Sequence, residues 1–224
     1  HINQACEELR AWVQAETAAL LEQGKLVGAV GGEHSVPLGF LQALAERHSE
    51  FGVLQIDAHM DLRKAYEGFT YSHASIFYNA MQLPQITQLT QVGIRDYCEE
   101  EVAFAEKSGR CTVFYDHELQ RRQFEGEHWN ALCKAIVETL PEQVYISFDI
   151  DGLQPDLCPH TGTPVPGGLT FQQAIYLLLA VVESGRAIIG FDLSETGGSP
   201  HEWDANVSAR ILYKLSNLMG KSQL

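Results

Sequence analysis

Basic charge is what this sequence has least of. Lys and Arg number 15 against 29 Asp and Glu, a formal net charge of −14. A surface so acidic repels phosphate backbones and anionic headgroups, which argues against nucleic acid or an anionic membrane as a partner. No run of about 18 apolar residues occurs, so no membrane span is expected, and no signal-peptide pattern is present. Cysteine offers little: Cys6, Cys98, Cys111, Cys133 and Cys158 are odd in number, scattered, and without paired metal spacing. Free thiols in a reducing cytosol fit that pattern, so a cytoplasmic protein is expected. Internal repeats, linkers and low-complexity segments are lacking too. So is an initiator methionine: the chain opens at His1, and a missing N-terminal segment is the expectation.

What is there is an ordinary globular composition. Hydrophobic residues make up 45% and charged residues 20% of 224 positions, enough for one domain, residues 1–224, with a full core. Residues 3–23 carry Leu9, Trp12, Val13, Leu20 and Leu21 at helical spacing. A strand over 28–32 follows, then a helix to about 48 with Ser35 as cap and Pro37 in its first turn. Further strands are expected at 51–56, 86–94, 110–115, 144–148 and 187–195. Helices are expected from about His73, at 97–108, 127–140, 170–184 (capped by Thr170) and 203–219. Strand and helix alternate throughout. The fold class is therefore α/β, three α-β-α layers around a mostly parallel central sheet.

The chemistry gathers where the strands stop. Phe51-Gly52-Val53-Leu54-Gln55-Ile56 reads as a buried strand and runs into Asp57-Ala58-His59-Met60-Asp61. If the chain stays extended, Asp57, His59 and Asp61 leave on one side, because strand side chains alternate. Two carboxylates and an imidazole meeting there repel or desolvate one another unless a cation sits among them. The arrangement recurs. Val144–Phe148 ends in Asp149 and Asp151, Leu26–Val30 ends in Gly31-Gly32-Glu33-His34-Ser35, and Ala187–Phe191 ends in Asp192-Leu193-Ser194-Glu195. Open α/β sheets place their ligands at this end of the strands.

The motifs GGEHS, DAHMD, SFDIDGLQPD, TGTPVPGG and DANVSARILY, in this order, resemble those of the ureohydrolases, the arginase and agmatinase family, from about Leu26 to Leu215. The resemblance implies an arginase-like fold and two Mn²⁺ per chain. One ion would be held by His34, Asp57, Asp61 and Asp149, the other by Asp57, His59, Asp149 and Asp151, with Asp57 and Asp149 bridging. A carboxylate-rich set with few imidazoles and no thiolate suits such an ion, though it does not exclude other divalent metals. The implied reaction is hydrolysis of a guanidino C–N bond to urea and an amine. Asp61 would pass a proton to the leaving amine, His73 in YSHAS would shuttle protons to solvent, and Glu195 would pair with the substrate guanidinium. The resemblance also implies a homo-oligomer, trimer or hexamer.

Departures from the family pattern bear on substrate. Gln154-Pro155 and Cys158-Pro159-His160 replace the usual Asp-Pro and Ala-Pro-Gly, which removes no ligand but places an imidazole in a loop that could border the substrate. Residues 62–72 lack the Ser- and Asn-bearing pattern of arginases, so an agmatinase-like activity on a small cationic guanidino compound is the expectation. Guanidino acids and formimino-glutamate are the alternatives, as is a non-catalytic member acting as a binding or regulatory subunit. The glycines and prolines of residues 161–168 read as shaping a loop beside the site. His1, His48, His117, His128 and His201 read as solvated surface.

Overall fold

The computed structural model describes residues 1–198 and 202–224; His201 lies outside the described residues. In chain order the elements are α1 (Ile2–Glu22), β1 (Gly28–Val30), α2 (Leu38–Ala45), β2 (Phe51–Ile56), α3 (Ile76–Ala80), β3 (Ile86–Ile94), α4 (Glu99–Ser108), β4 (Cys111–Tyr115), α5 (Asp116–Phe124), α6 (Trp129–Glu138), β5 (Gln143–Asp149), α7 (Phe171–Glu183), β6 (Ala187–Ser194) and α8 (Trp203–Lys221). The strands form one six-stranded sheet in the order β1-β6-β5-β2-β3-β4, and every pairing is parallel. Parallel strands covered on both faces read as continuous apolar runs, and β2 is buried at every position.

Alternation along these strands sorts the core into two halves. Leu54, Ile56, Val144, Ile146 and Phe148 pack against α5, α6, α7 and α8, through residues such as Leu119, Leu132, Leu177 and Ile211. Phe51, Val53 and Tyr145 face α1, α2, α3 and α4, meeting Val13, Leu41, Phe77 and Ala105. The three-layer architecture follows directly. From β2 the chain steps outward through β3 and β4, then returns to build β5 and β6 on the other flank of β2. The β2/β5 boundary is thus where strand order reverses, the position at which such sheets bind ligands. No helix among the described residues is long and apolar enough to cross a membrane.

Several local expectations need correction. Ser35 does not cap α2, which begins at Leu38 after Pro37; its hydroxyl turns to Glu33 instead. His73 opens a 3-10 turn (His73–Ser75) ahead of the short α3. Helix α5 was not anticipated: in Asp-His-Glu-Leu-Gln-Arg-Arg-Gln-Phe only Asp116 and Leu119 are buried, so the segment carries no apolar period to read. Thr170 does cap α7 as expected, in a capping box: Gln173 N–H donates to Thr170 Oγ1 at 3.1 Å and Thr170 N–H to Gln173 Oε1 at 2.9 Å.

Candidate metal centre

Strand β2 stops at Ile56, as expected, and the chain does not stay extended from there through Asp61. His59 keeps a single parallel bridge to Asp96, and Asp61 turns into the left-handed region at φ 54°. That turn costs of order 1 kcal/mol or more for a non-glycine residue. Asp61 lies against His34, while His59 lies against Asp151.

The first group centres on His34. Its Nδ1 lies 3.1 Å from Asp57 Oδ2, 3.1 Å from Asp61 Oδ2 and 3.1 Å from Asp149 Oδ2. Yet this buried nitrogen has no hydrogen-bond partner, because none of the three oxygens lies where an N–H would point. The second group is Asp57, His59 and Asp151: His59 Nδ1 is 3.5 Å from Asp57 Oδ1 and 3.1 Å from Asp151 Oδ2. Ligand atoms of His34, Asp57 and Asp149, and likewise of Asp57, His59 and Asp151, lie within 4.8 Å of one another. Asp57 thus offers one oxygen to each group. Asp149 is grouped with His34 and Asp57, and its Oδ1 accepts the Asp151 N–H at 2.8 Å.

Backbone and side-chain donors hold these carboxylates. His59 N–H and Gln55 Nε2 both donate to Asp57, each at 2.7 Å. Gln91 in turn donates to Gln55 Oε1 at 2.6 Å. Ala58 N–H donates to Asp151 Oδ1 at 3.1 Å, and Thr163 Oγ1 lies 3.3 Å from Asp151 Oδ2. A side chain at Gly152 would come within 2.7 Å of the Asp57 nitrogen, so only glycine lets the β5 turn close on β2.

The charges in this pocket do not balance among protein groups alone. Burial would lower His34, but Asp149, Asp57 and Asp61 raise it well above the ordinary imidazole value. Burial likewise opposes the His59 imidazolium, yet Asp151 and Asp57 push it up to about 11. Burial also works against the Asp57 carboxylate, which His34 and His59 nonetheless hold below the usual range. Burial and Asp57 raise Asp61 to about 7. Burial, Asp151 and Asp57 lift Asp149 well above the usual range. Protons must neutralise the cluster, and two divalent cations would do the same without them. The orphaned His34 Nδ1 and the donor set fit such ions.

The remaining expected residues lie around the cluster. Glu195, itself left-handed at φ 60°, accepts the His34 N–H on Oε1 at 2.8 Å. It groups with Glu33 and His73. His73 Nδ1 stands 3.9 Å from Glu33 Oε2, at a cleft of about 120 Å³ lined by His59, Asp61, Tyr66, His73, Asp96 and Thr163 among others. Asp192, grouped at sequence level with the other strand-end acids, does not reach the cluster but lies behind His34, its Oδ1 3.7 Å from Nε2. His160 engages Asp204 of α8, through N–H at 2.9 Å and Nδ1 at 2.9 Å. Sequence reasoning missed Gln55, Gln91, Arg95, Ser147 and Thr163. A polar residue inside a buried apolar run is the signal that marks Gln55, Gln91 and Ser147.

A parallel α/β sheet with two carboxylate–imidazole groups at its switch point defines a protein shaped to hold divalent cations. The chain belongs to the arginase family, whose model matches residues 3–216. It is 36% identical over 214 residues to the N(1)-aminopropylagmatine ureohydrolase of Thermus thermophilus, covering 96% of this chain and 69% of that protein. The agmatinase of Cronobacter sakazakii is 32% identical over 213 residues, covering 94% of this chain and 65% of the relative. Among solved structures, proclavaminate amidino hydrolase from Streptomyces clavuligerus superposes with a TM-score of 0.83 at 27% identity, over 94% of this chain and 69% of that one.

Proposed function

We propose that this chain is a binuclear-metal amidinohydrolase that splits a guanidino C–N bond with water, releasing urea and an amine. The observation that carries this reading is His34 Nδ1, buried, without a hydrogen bond, and 3.1 Å from each of three carboxylate oxygens. His34, Asp57, Asp61 and Asp149 would hold one ion. Asp57, His59 and Asp151 would hold the other, with Asp149 adjacent. Manganese suits this oxygen-rich set. When bound, the ions supply a water of lowered pKa and stabilise charge at the reacting carbon.

The chain's own residues bind, orient and move protons. Glu195 keeps Oε1 on the His34 amide, leaving Oε2 to pair with a planar guanidinium. Asp61, inside the cleft, hands a proton to the leaving amine. His73, half exposed at the mouth, exchanges protons with solvent. The mouth also presents Asp96, with a side chain 63% exposed, while Arg63 in the same lining stands 3.6 Å from Glu101; the Asp96 carboxylate favours a substrate whose far end is cationic. Agmatine and its aminopropyl derivative have that form, and the names of the relatives support the choice. The five unbridged cysteines support a cytosolic location. A homo-oligomer, trimer or hexamer, is the assembly the family suggests.

The test is metal analysis together with urea release. Purified protein loaded with Mn²⁺ is assayed against agmatine, N(1)-aminopropylagmatine, 4-guanidinobutyrate and arginine. Two equivalents of ion per chain and fastest release from an amine-tailed substrate are expected. Protein that binds no divalent ion and releases no urea from any of the four would refute the reading.

A further inference from the structure

We propose that Asp192 is a positioning residue for the metal centre, acting through Ser147 to hold the His34 ring with its bare Nδ1 turned toward the ions. The inference rests on the binuclear-metal reading and adds a residue that touches neither ion nor substrate. Period-two alternation puts Tyr145, Ser147 and Asp149 on one face of β5. The register pairs Ser147 with Asp192 and Asp149 with Ser194 on β6. A polar row therefore crosses this sheet face below the site, from Gln55 on β2 through Ser147 to Asp192. Ser147 is 1% exposed and Asp192 0%.

The row has a direction. Asp192 has only acceptors when ionised; Ser194 Oγ donates to its Oδ1 at 3.0 Å, that oxygen lies 3.7 Å from His34 Nε2, and Ser147 is its register partner on β5. Ser147 has one hydrogen to give. Given to Asp192, it leaves the Ser147 lone pairs to accept from His34, whose Nε2 is 2.8 Å from Oγ. The ring proton is then on Nε2 and the lone pair on Nδ1, the nitrogen that faces Asp57, Asp61 and Asp149. Packing alone does not call for a carboxylate at this position. Asp192 is fully buried, and a buried carboxylate carries a desolvation cost that an apolar residue would avoid. Metal-bound imidazoles commonly have such a partner on their other nitrogen, and losing it typically weakens metal binding about 10–100-fold.

Chelator-stripped protein titrated with Mn²⁺, with free ion followed by its paramagnetic resonance signal and heat by calorimetry, tests this without reference to turnover. Wild-type protein should bind two ions. Asp192→Asn should weaken one binding step by about 10–100-fold and leave the other unchanged, with the melting temperature of the stripped protein equal or higher. Ser147→Ala should weaken the same step, and the double variant should be no weaker than Ser147→Ala alone, because the two residues act in series. Wild-type affinity in Asp192→Asn, equal weakening of both steps, or additive losses in the double variant would overturn the proposal while leaving the metal reading intact. Wild-type protein that binds no Mn²⁺ would overturn both. If Asp192→Asn does not fold, Ser147→Thr decides the matter: affinity regained relative to Ser147→Ala supports the hydroxyl relay, and equal loss refutes it.

Discussion

Replacing Arg95 with methionine should destabilise the protein and loosen the ion on the His59 side together. The Arg95 guanidinium makes five hydrogen bonds, all to backbone carbonyls. Nε and Nη2 donate to Val165 O at 3.1 and 2.9 Å, and Nη1 donates to Gly93 O at 3.1 Å. Nη2 also donates to Asp151 O at 2.7 Å and Leu153 O at 3.1 Å. One side chain thus ties the end of β3 to the backbone of a proposed ligand and to the loop that carries Thr163. Summing five charged bonds would overstate their worth, since burial itself disfavours the Arg95 cation and water can refill the outer contacts. Gly93, Asp151 and Leu153 are buried, so their carbonyls would stay dry. At about 1–3 kcal/mol each the loss is roughly 3–9 kcal/mol, or about 6–36 °C of melting temperature for a domain of this size. Arg95→Lys keeps the charge but offers a point in place of a fork, and should recover less than half of the loss. Thermal melts and Mn²⁺ titrations of the three proteins measure this. An Arg95→Met melting temperature within about 2 °C of wild type, with both ions bound normally, would refute the assignment of Arg95 as the organiser of Asp151.

Asp149→Ala should lose at least one ion and nearly all turnover; both ions retained with normal urea release would remove Asp149 from the ligand set. Glu195→Gln should lower kcat and raise KM together, because loss of a charge-assisted contact in a dry pocket costs about 2–5 kcal/mol, roughly thirty- to several-thousand-fold in kcat/KM. Its metal content should match wild type, and metal lost in step with activity would instead put Glu195 among the ligands. Removing the ions should also reverse the protein's response to alkali. In the stripped protein His59 is pushed up to about 11, against about 6.5 when unfolded. Its contribution is fully present below pH 6.5 and is lost as pH rises toward 11. The melting temperature of stripped protein should therefore fall from about pH 6.5 upward, and a flat or rising profile would show that His59 is not the neutralising cation.

Strands and long helices could be read from the chain because burial on both faces leaves an unbroken apolar run. Phe51–Ile56, apolar at every position but Gln55, is the clearest case, matching β2 at both ends. What escaped had no such signature. Helix α5 is polar on nearly every side, and its start at Asp116 follows β4 without a breaker. The turn beyond β2 also escaped, because the backbone that takes Asp61 to φ 54° is imposed by the site and runs against the local preference of aspartate's backbone. Propensity could not announce it. Phe77 N–H and Tyr78 N–H, donating to Asp61 O at 3.0 and 3.3 Å, show that a later segment holds it in place.

The ligands themselves were visible because they cluster in contiguous motifs, whereas their supports depend on which strands lie side by side. That difference still leaves a trace. Gln55 precedes Asp57 by two positions and donates to its carboxylate. Ser147 precedes Asp149 by two and meets His34. Gln91 lies opposite Gln55 in the β2–β3 register and donates to it. Each is a polar side chain inside a run that burial should have made apolar, on the strand face that leads to the site. A parallel strand buried on both faces has no solvent to excuse a glutamine or a serine. Period two says where such a residue points: from the ligand at the strand end, the position two back lies beneath it on the same face. The polar residues that looked out of place in the core are those that hold the first row of carboxylates and imidazoles in register, and Asp192, beside Ser147 on the neighbouring strand, continues the same row.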